Sequence, residues 1–114
     1  MMHKAGLNPR SSEITANVLV KTDMWGVFTH GTRQLPKLIE NFETGKMILN
    51  KKCTVVAEGQ SWALIDGKRA MAFDTAVDAM SIAIKKSEVS GCATVSARNI
   101  GHFGAAGYYA FQAA

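Results

Sequence analysis

Cysteine is scarce in this chain of 114 residues, which carries only Cys53 and Cys92. The two lie far apart and neither belongs to a Cys-x-x-Cys pair, so a secreted disulfide scaffold is excluded and a zinc or redox motif has no support. The expectation is two buried thiols in a reducing compartment. Long apolar runs are missing too. No window offers the ~18 uninterrupted apolar residues that a membrane helix needs, and Met1–Leu7 lacks the hydrophobic core of a signal peptide. Both absences point to a soluble cytoplasmic protein. Basic residues are not concentrated either. The net charge is +4, from 13 Lys+Arg against 9 Asp+Glu, and Lys51-Lys52, Lys68-Arg69 and Lys85-Lys86 are separated pairs. Nucleic-acid binding calls for a basic face interleaved with aromatics, and none is visible.

What is present is apolar and ordered. With 47% hydrophobic and 19% charged residues, the chain can offset the entropy of ordering itself, and its length suits one domain. Ser11-Ser12-Glu13 reads as a helix start, and Ile14, Val18 and Leu19 recur at helical spacing with Ala16 and Val20 widening the stripe, as far as about Met24. A second helix is expected over 34–43. Pro36 suits its first turn, Leu38, Ile39 and Phe42 form its stripe, and Gly45 lies beyond its end. The period then changes. Thr54–Ala57 and Trp62–Ile65 read as an antiparallel hairpin, with Asp66-Gly67 as the next turn. A third helix is expected from about Asp74 to Ser87, burying Ala76, Val77, Met80, Ala83 and Ile84. A strand over 92–97 follows, then a polar loop from Arg98 to Gly104, then a last helix from Ala105. That helix reaches Ala114 without a capping glycine or a basic last turn, which suggests a truncated chain. The fold class is α+β.

Two of the three histidines sit in polar loops beside glycine: Thr29-His30-Gly31 and Gly101-His102-Phe103-Gly104. Glycine leaves room for a ligand and permits unusual backbone angles. Histidine can give a proton to a carbonyl oxygen or take one from a hydroxyl near neutral pH. Thr29 adds a hydroxyl, and Arg33 adds a fork of donors suited to a carboxylate. His3, beside the terminus, has no such setting. Gly101-x-x-Gly104-x-x-Gly107 imitates a phosphate-binding turn but is not Gly-x-Gly-x-x-Gly, and no acidic residue follows at the Rossmann distance.

These residues carry a resemblance. Asp23-x-x-Gly26-x-x-Thr29-His30-Gly31-x-x-x-Leu35-Pro36 resembles a signature of the malate/L-lactate dehydrogenase family, a group of oxidoreductases without a Rossmann fold. Asp66-Gly67 and Arg98-Asn99-x-x-His102-Phe103-Gly104-Ala105-Ala106-Gly107-Tyr108-Tyr109 resemble its second histidine motif, in matching order and spacing. The likeness runs from about Ser11 to Ala114.

The resemblance implies a non-Rossmann α+β fold and an NAD- or NADP-dependent oxidoreductase that interconverts a 2-hydroxy acid and a 2-oxo acid. His30 would donate a proton to the 2-oxo carbonyl, and His102 would be the second active-site histidine. Thr29, Arg33, Gln34 and Asn99 would bind substrate, with Asn99 also a candidate for orienting His102. Asp23 and Gly26 would shape the loop. Thr29 stands where the family has Ser, and Gln34 where it has Arg; a neutral amide bonds a carboxylate about half as strongly as a charged group. Family members are several times longer, so residues 1–114 would be the N-terminal substrate-binding part, inactive by themselves, with most of the cofactor region absent. The complete protein would be a homodimer without metal, nucleic-acid or membrane partners. The alternative is a non-catalytic remnant or interaction module that keeps the fold.

Overall fold

The protein, a computed structural model, is described over residues 2–114, and its side chains from Lys4 onward. The expectation for His3 concerns a side chain outside that range.

Helix α1 spans Pro9–Met24. It begins earlier than Ser11 because Asn8 is its cap, accepting from the Ser11 amide at 2.9 Å, with Pro9 in the first turn. Ser11 and Ser12 are therefore inside the helix and buried. The buried stripe is Ser11, Thr15, Val18, Leu19 and Thr22. Ala16 and Val20 face outward, contrary to the widened apolar side. The hydroxyls on this face find different partners: Thr22 Oγ1 donates back to the Val18 carbonyl at 2.6 Å and Ser11 Oγ donates to Asp74, whereas Thr15 Oγ1 is buried without a partner.

Helix α2 covers Leu35–Glu43, with Pro36 in its first turn and Leu38 buried. Strands β1 (Thr54–Glu58) and β2 (Trp62–Asp66) form the expected antiparallel hairpin. The register slips between Val55 and Ala57, marking a β-bulge. Helix α3 (Ala72–Ser90) returns the chain to β3 (Thr94–Arg98), which pairs parallel to β2, so the sheet order is β1-β2-β3. Gly91 ends α3 in the left-handed conformation at φ 79°. Helix α4 spans Ala106–Ala113.

The core gathers Leu7, Val18, Leu19, Leu38, Met71 and Phe73. In α3 only the first turn, Ala72–Thr75, is fully buried. Ala76, Val77, Met80, Ala83 and Ile84 are half-buried. Several of them line an open cleft of about 480 Å³ whose other walls include Val95, Ala97 and Phe103. The thiols also differ from expectation. Cys53 is half-buried and Cys92 exposed, because Cys92 follows the glycine that ends α3 and precedes the strand. Tyr109 is buried at 4% exposure, whereas Phe111 is 63% exposed. No helix among the described residues is long and apolar enough to cross a membrane.

Candidate active site

Two loops meet at one end of α1. The first leaves the helix through Gly26, whose φ of +76° suits glycine, and forms two successive 3₁₀ turns, Phe28–His30 and Thr32–Gln34. The second runs from β3 to α4. Gly104 lets the second loop lie close on α1 and α3: its φ is +80°, and a Cβ there would stand 3.1 Å from Val18 Cγ1, 3.2 Å from Phe73 Cε1 and 3.9 Å from the His30 carbonyl oxygen of the first loop. The rings of His30 and His102, distant in sequence, lie 5.1 Å apart between centroids and are tilted by 45°.

The surroundings of each ring fix its chemistry. Thr29 Oγ1 lies 2.9 Å from His30 Nδ1. That bond occupies Nδ1 in either tautomer and leaves Nε2 for exchange with a ligand. Partial burial, and then the neighbouring His30, hold the His102 pKa below its ordinary value. A less basic imidazole is neutral at physiological pH and available as a proton acceptor or hydrogen-bond partner.

The remaining predicted residues divide. Gln34 Nε2 donates to the Thr29 carbonyl at 2.5 Å, so it ties together the two turns around His30. Arg33 is exposed on the same turn as Gln34. Asn99 stands in the left-handed region at φ 55° and donates its Nδ2 to Asp66 Oδ2 at 2.9 Å. Its amide thus orients the start of the second loop against β2.

Sequence reasoning overlooked Asp66 in this role. Its Oδ1 accepts from the Lys68 amide at 2.8 Å, and its Oδ2 from Arg98 Nε at 3.0 Å as well as from Asn99. The Lys68 backbone N–H, with Arg98 and Asn99, holds its pKa below the ordinary carboxylate value. The signal was the Asp-Gly pair, which reads as a turn and as part of the second histidine motif but does not name the partners of its carboxylate. Thr32 was also overlooked: its amide and hydroxyl both donate to Asp23 Oδ2, at 3.0 and 2.6 Å.

Of the glycines in the second loop, Gly104 is explained by packing, whereas a Cβ at Gly101 would meet nothing within 4 Å. Gly104 abuts Val18 and Phe73. Among the described residues, Gly101-x-x-Gly104-x-x-Gly107 does not have the Rossmann glycine spacing. No group of three or more His, Cys, Asp or Glu side chains among them could hold a metal ion.

Residues 1–114 match the malate/L-lactate dehydrogenase family over their whole length. The chain is 38% identical over 114 residues to a malate dehydrogenase of Pyrococcus horikoshii, covering all of this chain and 32% of that protein. It is 34% identical over 109 residues to an L-sulfolactate dehydrogenase of Methanocaldococcus jannaschii, covering 96% of this chain and again 32% of the relative. The solved structure of the Pyrococcus horikoshii malate dehydrogenase superposes with a TM-score of 0.96 over 99% of this chain and 32% of the other. The chain thus spans about a third of the length of the curated relatives it matches. A family match over every residue, with an α+β frame that superposes on a solved relative, places this chain in the malate/L-lactate dehydrogenase family.

Proposed function

We propose that residues 1–114 form the substrate-binding part of an oxidoreductase that interconverts a 2-hydroxy acid and a 2-oxo acid with NAD or NADP. The observation that carries this reading is the meeting of His30 and His102 at 5.1 Å, with Thr29 bonded to His30 Nδ1. The dehydrogenase names of the relatives support the reaction class.

In this reading His30 gives its Nε2 proton to the 2-oxo carbonyl oxygen during reduction and takes it back from the hydroxyl during oxidation. Thr29 holds the ring by its other nitrogen. His102, neutral beside it, accepts a hydrogen bond from the substrate hydroxyl or relays the proton. Arg33 is an exposed cation on this loop that can turn to the substrate carboxylate, and its charged bond is about twice as strong as a neutral one. Gln34 and Asn99, engaged with Thr29 and Asp66, hold the loops that bear the histidines. The nicotinamide is held by residues other than these, and the complete protein works as a homodimer.

The complete protein should oxidise NADH or NADPH with pyruvate, oxaloacetate or glyoxylate, while the 114-residue chain should not. His30→Ala in the complete protein should lower kcat by about 10²–10⁴, the usual worth of a positioned acid or base. Near-normal kcat in both His30→Ala and His102→Ala would overturn the assignment.

A further inference from the structure

Asp23 sits in the last turn of α1, nine residues before Thr32. Its Oδ2 accepts two bonds from Thr32, from the backbone N–H at 3.0 Å and from the hydroxyl at 2.6 Å. Bonds to an ionised acceptor are about twice as strong as neutral ones. Its Oδ1 is buried without a hydrogen-bond partner. That oxygen lies against Gly31, where any Cβ would overlap the carboxylate.

Gly31 is the residue between the two 3₁₀ turns, and it directly follows His30. One carboxylate, fixed to a helix end, therefore grips the first residue of the second turn and abuts the residue joining it to the first. Leaving a carboxylate oxygen buried and unbonded costs free energy, so the surrounding structure must hold it there. The absence of a side chain at residue 31 makes the seat. Asp23 is nonetheless not bonded to either histidine.

We propose that Asp23 is a positioning residue that clamps the Gly31–Thr32 segment and thereby fixes the His30 ring against His102. Its bearing on catalysis rests on the function proposed above; the clamp itself does not. Gly31 and Asp23 form one device. Removing the carboxylate, or evicting it with a methyl group at residue 31, releases the same turn.

The test is NMR on the isotope-labelled chain, reading the nuclear Overhauser effect between the His30 and His102 rings. The Val18 and Leu19 methyl shifts report the core. Asp23→Ala should reduce the inter-ring effect at least two-fold with the methyl shifts unchanged. Gly31→Ala should do the same, and the double variant should match Asp23→Ala, because residues that act as a unit are non-additive. Thr32→Ser, which keeps both donors, should retain the effect, whereas Thr32→Ala should weaken it. A full inter-ring effect in Asp23→Ala overturns the proposal, as do additive losses in the double variant. If Asp23→Ala does not fold, equal spectra for Thr32→Ser and Thr32→Ala overturn it instead. No substrate turnover enters this readout, so an inactive complete protein would refute the proposed function and leave the clamp standing.

Discussion

The Tyr109 hydroxyl donates to the Phe103 carbonyl at 2.5 Å, fastening α4 to the loop that carries His102. The Tyr109 ring is buried at 4% exposure and lies 5.7 Å from the Phe103 ring between centroids. Burial, the largest cause, pushes its phenol pKa well above the ordinary value, so it stays a donor across the physiological range. Tyr109→Phe keeps the ring and leaves the carbonyl unpaired. It should lower stability by about 0.5–1.5 kcal/mol, the net worth of one such bond. Urea unfolding checks this: the midpoint should fall with the slope unchanged.

Gly104 is constrained by backbone and by space together. Its φ is +80°, and a methyl group there would stand only 3.1 Å from Val18 and 3.2 Å from Phe73, so alanine would strain the chain and overpack the core. Gly104→Ala should cost about 1–3 kcal/mol. The urea midpoint measures it, and the inter-ring effect between His30 and His102 should weaken in parallel.

The His102 titration should respond to its neighbour. Burial lowers its pKa from 6.5, and His30 lowers it further. His30→Ala removes the second cause, so the His102 midpoint should rise toward 6.5 without fully reaching it. Because the unfolded state binds the proton more readily, stability due to this group rises with pH between the lowered folded value and 6.5. NMR titration of the ring protons in both chains gives the comparison.

Asp74 has the opposite sign of shift for its type. Burial raises its pKa above 3.8, while a bond from the Ser11 hydroxyl opposes that rise. The folded state therefore holds the proton more tightly than the unfolded one. This contribution to stability is fully present below 3.8 and is lost as pH rises through the raised folded value. Asp74→Asn should flatten the pH dependence of stability over that window. Parallel stability curves for the two chains, measured by urea unfolding at a series of pH values, would refute it.

Much of the fold was legible because periodicity and punctuation are local. The Thr54 and Trp62 runs, the Asp66-Gly67 turn, Pro36 in the first turn of α2 and Gly91 at the end of α3 each state their role within a few residues. The two histidine loops were legible for a related reason, since glycine beside a polar side chain marks a backbone kept open. Burial was less legible. Ala16 and Val20 carry the right hydropathy yet face outward, while Ser11, Thr15 and Thr22 fill the inside of α1. Hydropathy counts the side chain alone, whereas a buried hydroxyl can find a partner in the folded chain, as Ser11 does in Asp74 and Thr22 in the Val18 carbonyl.

By itself the sequence determined the order of helices and strands, the hairpin, the candidate acid–base residues His30 and His102, and the kinship of the chain. Those follow from residue type and spacing along a line. Tertiary structure alone decided that the two histidines stand 5.1 Å apart, that Gln34 and Asn99 bond to Thr29 and Asp66, and that Asp23 grips Thr32 across Gly31. The physical causes differ: successive 3₁₀ turns bring Gln34 to Thr29, the parallel pairing of β2 with β3 brings Asn99 to Asp66, and the meeting of the two loops at α1 brings the histidines together.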